Sequence, residues 1–126
     1  MEISKDLLSE VLSSSSTYLI KVHKVIIKNH SLNYFYNSKD SSHRPFEDNK
    51  YINIYELAYK CKEWIILKGL SYTVYYDDSF KNYKCEILEE NFNDGIDAIG
   101  DIFVSSNEIQ AVFSACQWIL ENKGIK

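Results

Sequence analysis

The stretch that most restricts this 126-residue chain is 105–123. Ser105 and Glu108 stand at the S-x-x-E spacing of a capping box, in which each side chain accepts a free backbone N–H at the start of a helix. Behind them Ile109, Val112, Phe113, Cys116, Ile119 and Leu120 recur at intervals of three and four, the spacing of a helical face that has to be buried. Ala111, Ala115 and Trp118 fall on the opposite side at 100° per residue, so a helix resting on one sheet leaves Trp118 in need of a second cover.

A second helix is written in the same way further upstream. Asn53 and Glu56 repeat the cap spacing, Ile54, Leu57, Ala58, Cys61, Trp64 and Ile65 form one face, and Gly69 supplies the stop. Tyr55, Tyr59 and Ile66 lie off that face. A shorter helix starts after Ser4 with Ile3, Leu7, Leu8, Val11 and Leu12 on one stripe; it is too short to stand alone, and Ser13–Ser16 breaks it as a turn or a hinge. The β-branched run to Lys28 and the run 32–36 flank Asn29-His30-Ser31, which predicts a hairpin within 17–36, with imperfect alternation marking a bulge near Lys24.

Tyr72, Val74 and Tyr76, then Tyr83, Cys85 and Ile87, predict a second hairpin. Residues 89–100 read as an acidic connection, and Ile102-Phe103-Val104 as a short strand. The polar segment 37–50, which holds His43-Arg44-Pro45, reads as the long loop. Adjacent strands favour antiparallel pairing. The expected fold is therefore one α+β domain over 1–126: an antiparallel sheet of about five strands in two hairpins, two long helices packed on one face, and a short N-terminal helix. Its parts are 1–16 (helix and serine linker), 17–36 (hairpin) and 52–123 (helix-strand-strand-strand-helix), and no internal repeat relates the halves.

Composition narrows the function classes. With 45% hydrophobic and 25% charged residues, four Gly and one Pro, the chain folds and is neither disordered nor of low complexity. The formal charge of −4 is uneven: 1–50 carries seven Lys/Arg against six Asp/Glu, 51–126 seven against twelve, and 77–101 two against eight. A surface of that sign repels nucleic-acid backbone and steers basic partners, so a protein partner is favoured over nucleic acid.

Cys61, Cys85 and Cys116 are an odd number without C-x-x-C spacing, which points to a reducing compartment. The first residues form no leader peptide and no apolar run is long enough for a membrane span, so a cytoplasmic protein is expected. No nucleotide-binding or hydrolase motif occurs, and the Cys and His positions lack metal-ligand spacing; no cofactor, metal or catalytic residue is expected. A small enzyme would have to use Cys85 with His23, His30 or His43.

Two resemblances bear on function. Residues 53–123 follow the strand and helix order of a double-stranded RNA-binding domain. The loop Asp77-Asp78-Ser79-Phe80-Lys81-Asn82 lacks that family's histidine, however, and the final helix lacks its lysines, so no RNA-binding residue carries over. The phrases Asn53-Ile54-Tyr55-Glu56-Leu57-Ala58-Tyr59-Lys60-Cys61-Lys62-Glu63-Trp64 and Ala115-Cys116-Gln117-Trp118-Ile119-Leu120 resemble small uncharacterised proteins carried by phages, prophages and plasmids of AT-rich bacteria.

That resemblance implies a mobile-element setting. The expected function is a non-enzymatic protein-binding domain, such as an acidic inhibitor of a host nuclease or defence system. Its expected contacts are Trp118, Tyr55, Tyr59, Tyr75, Asp77, Asp78, Glu89 and Glu90. The alternative is a nucleic-acid binder using Lys21, Lys24 and Lys28 in the hairpin 18–30; the competing account of those lysines is an edge guarded against aggregation. The N-terminal helix covers the spare helical faces either in its own chain, giving a monomer, or in a second copy, giving a symmetric homodimer.

Overall fold

A computed structural model describes residues 1–39, 45–91 and 95–122. In chain order it comprises α1 (Lys5–Ser14), β1 (Lys21–Lys28), β2 (Ser31–Lys39), β3 (Pro45–Asn53), α2 (Ile54–Leu67), β4 (Ser71–Asp77), β5 (Asn82–Asn91), β6 (Gly95–Ser105) and α3 (Glu108–Asn122). No helix among the described residues is long and apolar enough to cross a membrane.

Each helix begins where a polar side chain takes up its free N–H groups. Ser4 accepts from Leu7 N–H at 3.0 Å and Asn53 Oδ1 from Tyr55 N–H at 2.8 Å, as their spacing predicts. At α3 the cap moves: Asn107 Oδ1 accepts from Ile109 N–H at 2.8 Å and from Gln110 N–H at 3.2 Å, while Ser105, still in β6, accepts only from Asn107 N–H. The strand runs on through Ser105, so the helix starts two residues later than the capping-box reading allows. Asn107→Ala should therefore lower stability by about 1 kcal/mol and Ser105→Ala by less. Urea midpoints check this, and a larger loss at Ser105 would return the cap to it. At the end of α2, Gly69 adopts φ 78°, its N–H donates to Ile66 O at 2.9 Å and Leu70 N–H to Ile65 O at 3.3 Å, a Schellman stop.

The expectation of one sheet of about five strands is corrected. Six strands form two three-stranded antiparallel sheets, in the orders β1-β2-β3 and β4-β5-β6. The strand missing from the sequence reading is β3, which occupies the second half of the presumed 37–50 loop and pairs with β2 from Ser31↔Asn53 to Lys39↔Pro45. Asp48, Asn49 and Lys50 are poor strand formers, and Pro45 stands at the strand's first residue, where a missing N–H costs least; on an edge strand such residues are tolerated. The 89–100 connection likewise becomes the end of β5 and the start of β6. His43 and Arg44 lie outside the described residues, as does Asp94 of the acidic run.

The chain forms two compact units, Met1–Lys60 and Cys61–Lys126, and the boundary falls within α2. In the first, α1 packs in its own chain on β1. Leu7, Leu8, Val11 and Leu12 are buried, as are Val22, Leu32, Tyr34, Tyr36 and Ile52 of the sheet. The serines clamp the helix rather than hinge it. Ser9 Oγ donates to Lys5 O and accepts from Val22 N–H at 2.8 Å, and Ser13 Oγ accepts from Ile20 N–H at 2.9 Å and donates to Ile20 O. Burial, followed by the nearby Tyr36, pushes the Tyr34 phenol above its ordinary pKa.

In the second unit α3 lies over the sheet and buries a wider arc than one stripe: Ile109, Val112, Phe113, Cys116 and Ile119, and also Ala111 and Ala115. Leu120 is only half-buried. Trp118, expected to face away from the sheet, instead packs on β6, with its ring centroid 6.4 Å from that of Phe103 and its indole directly over Gly100. A bulge makes room for it. Between the pairs Cys85↔Phe103 and Ile87↔Ile99, β6 carries two extra residues, and Gly100 takes φ 71°.

Candidate binding surfaces

Each sheet has an inner face that supplies the core and an outer face open to solvent. Residues paired directly across an antiparallel ladder share a face, so the register assigns them. In the second sheet, Val74, Cys85, Ile87 and Phe103 point inward. Tyr75, Lys84 and Val104 form one outward rung; Leu88 and Ala98, then Glu90 and Ile96, form others. Tyr75 is 40% exposed, Ile96 65% and Val104 51%, on a face where Lys84, Glu86 and Glu90 of the central strand stand among them.

The charges beside this face are partly spent on structure. Asp77 Oδ1 accepts from the N–H groups of Ser79 and Phe80, closing the β4–β5 turn, and Oδ2 accepts from Lys84 Nζ at 2.7 Å. The Lys84 hydrogen bond, helped by those backbone donors, holds the Asp77 carboxyl below the ordinary carboxylate range. The same bond raises the Lys84 ammonium, which also sits 4.7 Å from the Phe80 ring centroid.

Of the predicted contacts in this unit, Tyr75 and Glu90 lie on the outer face, and Asp78 is exposed in the turn. Asp77 is committed to its turn and to Lys84. Glu89 alternates to the inner side of the strand, opposite Asp97. Trp118 is engaged with Gly100 and Phe103 and is withdrawn from the contact set. Tyr55 and Tyr59 belong to the first unit, both well exposed on α2, with the Tyr55 ring centroid 5.5 Å from that of His30. Ile96 and Val104 were not among the expected contacts: Val104 was read only as part of a short strand, and Ile96 lay in what read as an acidic connection.

In the first sheet the expected bulge lies between Val22 and Lys24. The outward rungs are Lys28–Ser31–Asn53, Ile26–Asn33–Tyr51, Lys24–Phe35–Asn49 and Lys21–Asn37–Glu47. Lys24 Nζ lies 5.2 Å from the Phe35 ring centroid, and His23 Nε2 lies 4.0 Å from Glu47. A shallow depression of about 300 Å³ is lined by His23, Phe35, Glu47, Asp48 and Asn49.

The three thiols are buried in the second unit and are free. Burial pushes Cys85 up to about 12, and Cys116 is raised by its hydrogen bond to Cys61 and by burial. Cys116 Sγ also donates to the Cys61 carbonyl at 3.8 Å. Raised in this way, Cys85 and Cys116 have almost no thiolate at neutral pH and make poor nucleophiles. No group of three or more His, Cys, Asp or Glu side chains among the described residues is arranged to hold a metal ion. No family model matches this chain, and no curated protein or solved structure is similar enough to match it.

Proposed function

We propose that the protein is a non-enzymatic binding domain that recognises a basic protein partner through the outer face of its second sheet. The observation that supports this is the co-location of Tyr75, Ile96 and Val104, exposed on one face, with Glu86 and Glu90 among them. Aromatic and aliphatic side chains on the two flanking strands, set beside carboxylates on the central one, offer a partner both apolar anchors and charge. The unit that carries it, 61–126, holds eleven Asp/Glu against six Lys/Arg, which favours a partner of opposite sign by long-range steering.

In a mobile-element setting such a partner is a host nuclease or defence protein, whose own nucleic-acid groove is basic. The test compares partners recovered from host lysate by the wild type, by an Ile96→Asp/Val104→Asp variant and by a control at the exposed Leu19 of the first unit, Leu19→Ser. Loss of a specific partner in the first variant alone is expected. Recovery unchanged by Ile96→Asp/Val104→Asp would eliminate this face as the contact.

A further inference from the structure

We infer that the outer face of the first sheet is a platform for single-stranded nucleic acid, with Lys21, Lys24 and Lys28 on the phosphates and Phe35 and Tyr51 beneath the bases. The backbone itself makes the lysine row. Strict alternation would send Lys21 and Lys24, three residues apart, to opposite faces. The extra residue at His23 sets Lys21 opposite Asn37 and Lys24 opposite Phe35, two apart on β2, so both lysines emerge on the side of Lys28. The row follows the β1 edge for roughly 20 Å at about 3.4 Å per residue.

Beside the row, on β2 and β3, lie the two rings, with Tyr51 at 74% exposure, and the amides of Asn33, Asn37 and Asn49. Glu47 is the one acidic residue on the four rungs, and it stands 4.0 Å from His23. The depression is lined by His23, Phe35 and Asn49, which offer a ring and an amide to a base, and by Glu47 and Asp48, whose carboxylates keep the phosphates on the lysine row and away from it. Lysines that merely guard an edge need no ring as exposed as Tyr51 two strands away, nor a half-buried Phe35 beneath Lys24; a charged track flanked by stacking surfaces is what single strands require. A duplex keeps its bases stacked inside and offers these rings no free π-face.

The experiment is fluorescence anisotropy with labelled oligothymidylate and oligouridylate on the full chain, across a salt series. Neutralising up to three phosphates predicts log K falling against log salt with a slope of about −2, at roughly −0.7 per contact. Lys21→Ala/Lys24→Ala/Lys28→Ala should remove that slope and most of the binding, the matching Lys→Arg variant should keep it, and Tyr51→Ala should weaken binding roughly 5- to 150-fold. All these side chains are exposed, so the variants should fold, which circular dichroism checks. Absence of binding at low ionic strength, retention of affinity in the triple alanine variant, loss in the arginine variant, or equal affinity for a duplex of the same length would each overturn the inference.

Discussion

Replacing Leu7 and Leu8 together by aspartate should unfold the first unit. Both side chains are fully buried in α1, so each substitution removes a packed leucine, worth about 2–5 kcal/mol, and strands a carboxylate at a further cost of several kcal/mol. Whole domains hold only about 5–15 kcal/mol. Loss of hydrogen-exchange protection across β1, β2 and β3 is the expected readout. Retained protection would show that α1 is dispensable to the sheet. The milder Leu8→Ala should cost about 2–5 kcal/mol in a urea titration. Because α1 packs in its own chain, held by Ser9 and Ser13, these losses should not depend on protein concentration, whereas a helix exchanged between copies would make them do so.

Gly100→Ala should be the most damaging single-methyl change in the second unit. A Cβ there would lie 2.7 Å from Trp118 Cε2 and 2.8 Å from Cζ2, inside contact distance of a rigid ring that also abuts Phe103. The φ of 71° adds about 1–2 kcal/mol of left-handed strain for a side-chain-bearing residue, and displacing the ring adds about 1–3 kcal/mol, so a loss of about 2–5 kcal/mol is expected. Denaturant midpoints measure it, and a shift in tryptophan emission reports the ring. Gly95→Ala is the control, since its φ is 90° but nothing lies within 4 Å: it carries the strain without the clash. Equal losses at the two positions would mean that Trp118 is free to move aside.

Trp118 marks where reasoning from sequence reached its limit. The angle of 180° from Ile109 places it correctly on the helix, but α3 buries more of its circumference than one stripe, and a bulged strand comes to meet the indole. Gly100 takes the positive φ at the bulge, and glycines at 95 and 100 have the appearance of loop punctuation. The binding surfaces were partly legible for a related reason. Lys21, Lys24 and Lys28 stand out as a basic run and Tyr75 as an exposed aromatic. Tyr51, Ile96 and Val104 do not, because their exposure is set by partners across the ladder and not by their neighbours in the chain.

What the sequence by itself determined is local: three helices with their stripes, the stop at Gly69, the hairpins β1–β2 and β4–β5, and the bulge before Lys24. Each rests on interactions within a few residues, such as caps, side-chain periodicity and tight turns. The tertiary structure alone decided that a polar segment becomes β3, that six strands divide into two sheets, that α1 folds back on β1, and that Trp118 is covered by β6. Those outcomes depend on backbone hydrogen bonds and burial between segments far apart in the chain. An edge strand such as β3 obtains its order from the ladder of its neighbour, so its own side chains need not announce it.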